Sequence, residues 1–291
     1  MKKGFLFLAV VVLAACSTDD PMDKQEVKND SKQDAVVTFR IDVPETGDAA
    51  GAAARMTRGT AVSESDMTDL WAFDYVGGRQ KQGTRQMNTD TNFGTISMTL
   101  PLGTHTVYFV ASRGLNPNED TDDLITWETP KDTFWGSVTV NVESGTSANV
   151  SVELKRVVTK LAVSITDAVP DDMSALVITP TEWYYGIDYT TGTPIGLQYN
   201  AARTISVPSS YVGSTDLSAA IFGFCTNDEW TTGFTVTAQN ASGTSIGQAS
   251  VEQAPFMANR TTRFSGPLFH ASGGMSITLD DEWLDEYSAT W

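Results

Sequence analysis

Apolar and polar residues alternate with a period of two from residue 36 onward, and this alternation constrains the fold more than any other feature. In residues 36–43, the apolar side chains of Val37, Phe39, Ile41 and Val43 fall on one face of an extended strand. The same alternation recurs in residues 106–111, 137–142, 149–154, 159–165, 218–224, 233–238 and 275–279. Because no window of about fifteen residues shows a helical period, the sequence predicts an all-β chain.

The chain divides best near residue 154. A strand pair over 138–154 completes one set of strands, and 157–165 begins a second set. Each half then has the size of an ordinary domain. We therefore expect two tandem antiparallel β-sandwich domains, one over residues 35–154 and one over residues 155–291.

The N-terminus is typical of an exported lipoprotein. Residues 1–15 have a short basic start and an apolar run too short to span a bilayer, which predicts a signal peptide. Leu13, Ala14 and Ala15 precede Cys16, as in a bacterial lipobox, so we expect lipidation of Cys16 with palmitate and related acyl chains. Residues 16–34 are polar and charged, which indicates a lipidated tether. Plain cleavage beside an incidental cysteine is the alternative.

Charge and composition exclude several functions. The chain has 36 acidic and 19 basic residues, a net charge of −17, so we expect no nucleic-acid partner. With two His and two Cys, multi-ligand zinc sites and a disulfide framework are not expected.

A Gly- and Ala-rich loop over residues 45–58 follows the first strand and carries Arg55 and Arg58. A long loop of small residues is a favoured site of proteolytic cleavage, so these two arginines are candidate processing sites. An ordinary connection whose arginines only add solubility is the alternative.

Four segments together resemble the FimA-type fimbrillins, the type V pilus subunits of Bacteroidales, and their Mfa-like relatives. Residues 57–59 are similar to the Thr-Arg-small processing motif of that family, and residues 69–74 and 103–111 to two of its strands. Residues 154–161 resemble the run that opens its second domain. The resemblance extends from the lipobox to the last strand and implies transthyretin-like sandwiches.

The resemblance implies a fimbrial subunit that polymerises by donor-strand exchange at the cell surface. An Arg-specific protease would cut after the first strand, and the strand bearing Val37, Phe39, Ile41 and Val43 would leave. A last strand like 275–279, with Met275, Ile277 and Leu279, would then fill the slot of a neighbouring subunit. Expected partners are other fimbrial subunits, the protease, the outer membrane through the lipid, and a host or glycan ligand. A stalk or tip subunit is favoured, and an anchor that keeps its lipid is an alternative.

No catalytic motif occurs, so we expect a protein that is not an enzyme and needs no metal or cofactor. His105 and His270 lack sequence-local metal partners, and Cys225 has the surroundings of a buried thiol. The oxygen-rich residues 116–123 favour a solvated loop over a calcium site. The adjacent pairs Asp122/Asp123 and Asp280/Asp281 are not the separated acids of a glycosidase.

Trp183, Tyr184 and Tyr185, with Tyr189, form the densest aromatic cluster of the sequence. Neighbouring strand residues point to opposite faces, so packing within the core is the favoured interpretation. A sugar-stacking surface is the sharper alternative, and it would make the chain a glycan-binding outer-membrane lipoprotein.

Overall fold

The protein is an all-β molecule, as the sequence predicts. The computed structural model describes residues 34–43, 67–120, 123–144, 147–270 and 276–280. Within these ranges lie a single 3-10 turn, Ser209–Tyr211, and twenty strands. The strands are β1 Ala35–Asp42, β2 Asp69–Val76, β3 Arg79–Met87, β4 Thr95–Leu100, β5 Gly103–Ser112, β6 Leu115–Glu119, β7 Leu124–Thr129, β8 Thr133–Val142, β9 Ala148–Glu153, β10 Lys155–Arg156, β11 Val158–Ile165, β12 Met173–Pro180, β13 Glu182–Asp188, β14 Thr193–Tyr199, β15 Arg203–Ser206, β16 Leu217–Phe224, β17 Trp230–Asn240, β18 Ser245–Phe256, β19 Thr261–Gly266 and β20 Ser276–Asp280. No described segment forms a helix long and apolar enough to cross a membrane.

The strands form four sheets. The first has the order β4-β1-β9, and the second has the order β10-β8-β5-β2-β3. The third has the order β20-β19-β11-β16-β13-β7-β6, with β14 also paired to β13, and the fourth has the order β15-β12-β17-β18. Most neighbours are antiparallel, but β1 runs parallel to β9 and β11 runs parallel to β19. Alternation in the sequence indicates which face of a strand is buried. It does not indicate whether the neighbouring strand runs parallel or antiparallel, so these two parallel pairs could not be predicted from it.

The second sheet lies between the first and the third sheets, and the composition of β2 explains how both of its faces can be buried. Leu70 and Ala72 belong to the core shared with the first sheet, whereas Trp71, Phe73 and Tyr75 belong to a cluster shared with the third sheet. Because successive side chains point to opposite faces, a strand that is apolar at nearly every position is buried on both sides.

Three apolar clusters hold the layers together. One lies between the first and second sheets, a second lies between the third and fourth sheets, and an aromatic cluster joins the second sheet to the third. In the aromatic cluster, Phe73 and Tyr189 are stacked with centroids 3.9 Å apart, and Trp127 stacks on Phe224 at 5.0 Å. Ring stacking therefore connects residues that lie on opposite sides of position 154.

The hairpin of β6 and β7 also connects the two halves of the sequence. Its residues precede 154 in the chain, yet β7 pairs with β13 through Thr126 and Gly186, Ile125 and Ile187, and Leu124 and Asp188. The third sheet therefore takes strands from both halves of the sequence. The division of the chain at residues 154 and 155 stays a prediction.

Candidate strand-exchange site

The first strand, β1, lies in the middle of its sheet. It pairs with β4 on one side, from Ala35 opposite Leu100 to Arg40 opposite Thr95, and with β9 on the other side, from Val37 to Asp42. Both rows of its backbone groups are therefore used in ladders. We call the channel between β4 and β9 that β1 occupies the β1 slot.

The alternating side chains of β1 are embedded in the core of the first two sheets. Val37 is 2% exposed, and Phe39 and Ile41 are fully buried. Val43, just after the strand, packs against the same cluster at its margin. The rings of Phe39 and Phe109 meet at 5.3 Å between centroids. Burial of three such side chains stabilises the strand in its slot by about 5–9 kcal/mol before ordering costs.

The outer edge of β4 is covered by side chains of β3. Gln82 Nε2 donates to the carbonyl of Thr99 at 3.0 Å, and Gln86 Nε2 donates to the carbonyl of Thr95 at 2.9 Å. A strand edge whose carbonyls already have donors is a poorer template for another chain. These glutamines therefore make the outer edge of β4 a poor place for strand addition.

The segment between β1 and the next described residue, Met67, carries both candidate processing sites. Arg55 and Arg58 lie outside the described residues, and so does the lipidation candidate Cys16. Their assigned roles stay predictions.

The candidate donor strand, β20, has the opposite environment to β1. Among the described strands it pairs with β19 alone, from Thr261 opposite Asp280 to Ser265 opposite Ser276, and so forms an edge of the third sheet. Ile277 is 38% exposed and Leu279 is half-buried, while Met275 lies outside the described residues. Alternating apolar residues on an edge strand contribute little to the core and are suited to packing elsewhere.

A half-buried carboxylate anchors the chain just before β20. Asp167 accepts hydrogen bonds from the backbone N–H groups of Leu268, Phe269 and His270 at 2.9, 2.7 and 3.0 Å. Burial alone would raise the pKa of Asp167, but the three backbone donors outweigh it and lower that pKa below its ordinary value. The segment leading to β20 is thus fixed at residue 270. The ring of His270 lies 3.3 Å from the same carboxylate.

The aromatic cluster of residues 183–189 does not form one platform. Trp183 and Tyr185 are each 1% exposed and belong to the core of the third and fourth sheets, and Tyr189 belongs to the aromatic cluster between the second and third sheets. Tyr184 faces the other way and meets Trp230 at 5.5 Å between centroids. These two rings line a small pocket of about 170 Å³. The arrangement matches core packing, which was the favoured interpretation.

The other residues singled out in the sequence have structural partners. The ring of His105 is buried, with Nδ1 at 2.7 Å from Asp74 Oδ1 and Nε2 at 2.9 Å from the carbonyl of Pro101. Burial raises the pKa of the Cys225 thiol to about 12, which makes it a poor nucleophile.

In the acidic loop before β7, Asp123 accepts hydrogen bonds from the hydroxyl groups of Tyr75 and Tyr189. Burial raises the pKa of Tyr189 to about 12. Residues 121 and 122 lie outside the described ranges, as does Asp281, whereas Asp280 pairs with Arg263. Over the described part of the chain, no three His, Cys, Asp or Glu side chains are grouped as metal ligands would be.

Sequence reasoning missed one buried ion pair at the junction of the two halves. Arg156 donates to both carboxylate oxygens of Asp132, at 2.6 and 2.9 Å, and to Asn259 Oδ1 at 2.7 Å. Its guanidinium also lies 4.7 Å from the ring centroid of Phe134. The only signal was that Arg156 falls in the segment 154–161, which the family resemblance had marked.

Comparison with known proteins gives one family and one fold. The sequence model of the family described as fimbrillin-A associated anchor proteins Mfa1 and Mfa2 matches residues 30–264. No curated protein sequence matches the chain.

Three solved structures share the fold, each with a TM-score of 0.51. One, from Bacteroides thetaiotaomicron, is named as a candidate polysaccharide binding protein; it is 8% identical, and the match covers 84% of this chain and 97% of that chain. The second is a candidate cell adhesion protein from Bacteroides ovatus, 12% identical over 86% of this chain and 98% of that one. The third, a candidate adhesin from the same species, is 11% identical over 83% of this chain and 88% of that one.

Proposed function

Because this chain belongs to the family of fimbrillin-A associated anchor proteins Mfa1 and Mfa2, we propose that it is a structural and adhesive subunit of fimbriae. The family membership confirms the resemblance found in the sequence. In the finer proposal, the chain is a surface-exposed lipoprotein acylated at Cys16 and serves as a stalk or tip subunit. An Arg-specific protease triggers its assembly with other fimbrial subunits by donor-strand exchange. The role is mechanical and needs no catalytic residue.

The observation that carries this proposal is the position of β1. The strand is central in its sheet, three of its side chains are in the core, and only a segment containing Arg55 and Arg58 ties its end to the next described residue. While that connection is intact, β1 is held at high local concentration. After a cut at Arg58, β1 is a separate peptide that can dissociate from the chain. A competing strand that fills the slot then prevents β1 from returning.

An empty slot would favour strand addition strongly. It would expose the edges of β4 and β9 that now pair with β1, together with core residues such as Phe109. Two rows of backbone N–H and C=O groups would then lack partners. An extended segment with apolar residues at alternate positions would cover the exposed core residues and would also pair with both rows of backbone groups. β20 has that pattern in Ile277 and Leu279, and Met275 continues it.

A second candidate function is a fimbrial anchor that keeps its lipid and its first strand. The family description itself favours this candidate, since it names anchor proteins. The mass of the mature protein on the cell surface separates the two. A subunit cut at Arg58 begins at Gly59, whereas an anchor begins at acylated Cys16.

Limited digestion of the purified chain with an Arg-specific protease tests the proposal. We expect cleavage at Arg55 or Arg58, loss of residues 34–43 from the product, and a ladder of oligomers. The double variant Arg55→Gln/Arg58→Gln should remain monomeric under the same treatment. Arg113→Gln, which alters an exposed arginine elsewhere, is the matched control and should behave as the parent chain. Oligomers that form equally well in the double variant would contradict a cleavage trigger.

A further inference from the structure

A wedge-shaped cavity opens beside β16, in the part of the third sheet where that strand separates from β13. The two strands pair at Tyr184 and Phe224 alone, and β13 then continues with β7. The cavity has a volume of about 430 Å³, within the range of ligand sites. Its walls are residues 129–131, residues 202–205 and residues 220–222. We call it the β16 wedge.

Hydrogen bonds show that an edge of β16 faces the wedge. The N–H of Lys160 donates to the carbonyl of Arg260, so the opposed pair Lys160 and Phe222 exchanges no ladder bonds. The carbonyl of Phe222 instead accepts from Trp183 Nε1 at 2.8 Å. By the alternation of an antiparallel ladder, the N–H and C=O of Ala220 also point away from β11. Among the described residues, no strand pairs with β16 at Ala220 on that side.

Two basic side chains line the β16 wedge. Lys131 is exposed on one wall, and the half-buried Arg203 on the other lies with its guanidinium 4.4 Å from the ring centroid of Tyr185. Within the described ranges, neither side chain forms an ion pair with a carboxylate. In a chain of net charge −17, two such cations beside an open strand edge match an extended acidic segment.

The chain itself contains such a segment directly after β20. Residues 281–291 lie outside the described residues; their sequence has four acidic and no basic side chains, together with Trp283, Leu284, Tyr287 and Trp291. These aromatic and aliphatic residues are suited to the apolar wall formed by Ile205 and Phe222.

The register places the start of this segment near the wedge. Asp280 lies opposite Thr261, Thr261 opposite Lys160, and Lys160 opposite Phe222. Three strand spacings therefore separate Asp280 from the wedge wall at Phe222, which is about 14 Å. Eleven residues reach up to about 36 Å when extended, so the segment can cross that distance and still run along β16.

We propose that residues 281–291 dock in the β16 wedge of the same chain. They add a short strand beside Ala220 and place acidic side chains against Lys131 and Arg203. The docking holds the end of β20 against β19. The proposal concerns the uncleaved chain, in which β20 has not been donated, so it does not rest on the proposed strand exchange.

Zero-length carbodiimide coupling of the intact, uncleaved chain tests the docking. We expect coupling of Lys131 to Asp281, Glu282, Asp285 or Glu286, identified by mass spectrometry. In a mixture of isotopically heavy and light chains, the coupled peptides should be purely heavy or purely light. Lys81, an exposed lysine on β3, is the control and should not couple to these carboxylates.

The charge-reversal variant Arg203→Glu should lower the yield of Lys131 coupling by about fivefold, the effect of removing one partly shielded charge contact. Arg79→Glu, on exposed β3, should leave the yield unchanged. Coupling of the segment to Lys81 as readily as to Lys131, or its absence at both lysines, overturns the proposal. Mixed heavy–light peptides would assign the wedge to a second copy and overturn docking within the chain.

Discussion

Replacing Phe39 by alanine lowers the free energy of unfolding of the uncleaved chain by about 3–5 kcal/mol, a typical cost for removing a fully buried ring. The side chain is fully buried and packs on Phe109 with ring centroids 5.3 Å apart. Its loss leaves a cavity between the first two sheets that their ladders prevent from closing. Urea unfolding of the parent and variant chains measures the difference, provided that the free energy of unfolding depends equally steeply on urea concentration in both.

Two other strand residues serve as controls for Phe39→Ala. Arg40→Ala changes the opposite, exposed face of β1 and should shift the free energy of unfolding by no more than about 0.5 kcal/mol. Ile277→Ala in β20 should cost less than about 1 kcal/mol, because that side chain is already 38% exposed. Equal losses for Phe39→Ala and Arg40→Ala would show that β1 is not part of the core.

Replacing Arg156 by alanine destabilises the chain by a similar amount, about 3–5 kcal/mol. The substitution leaves the carboxylate of Asp132, which is 8% exposed, without its bidentate partner. It also removes the hydrogen bond to Asn259, which joins β10 to the turn before β19. The larger part of the expected loss comes from an uncompensated buried charge.

A double variant that removes both charges separates this effect from lost packing. Arg156→Met/Asp132→Leu removes both charges and should recover much of the stability lost in Arg156→Ala, since two apolar groups leave no charge buried. Lys155→Ala, one residue away and exposed, should change the free energy of unfolding by no more than about 0.5 kcal/mol. A double variant less stable than Arg156→Ala would contradict the buried-charge explanation.

Alternation in the sequence predicted only part of the strands: it missed β4, which is buried on one face, and it found β11, which is buried on both. β1, β5, β8, β9, β11, β16, β17 and β20 follow runs of alternating residues. β3 consists almost entirely of polar residues and has no such pattern, because it is an edge strand whose glutamines reach β4. Periodicity reports burial on one face, so it has no signal for such a strand.

Long-range pairing was the part that the sequence could not supply. Asp132 and Asn259 are 24 and 103 positions away from Arg156, and nothing local marks them as its partners. The β16 wedge depends on the separation of β16 from β13, which alternation in either strand does not reveal. By contrast, the placement of Trp183 and Tyr185 on one face of β13 and of Tyr184 on the other face follows from strand alternation alone.

The most direct test of strand exchange is to lock β1 in its slot with a reversible bond. The carbonyls of Thr95 and Thr99 accept from β3, so they point away from β1, and the opposed pair Thr38 and Ser97 exchanges no ladder bonds. Such pairs have Cα atoms about 4.5 Å apart, which suits a disulfide. The side-chain oxygens of Thr38 and Ser97 are already 2.9 Å apart.

The measurement is the oligomeric state of the Thr38→Cys/Ser97→Cys chain after Arg-specific cleavage, with and without reductant. Thr38→Cys alone is the control and should form oligomers in both conditions. The account predicts that the oxidised double variant keeps residues 34–43 and stays monomeric, and that reduction releases the strand and starts assembly. Assembly that proceeds equally in the oxidised chain would contradict exchange at the β1 slot.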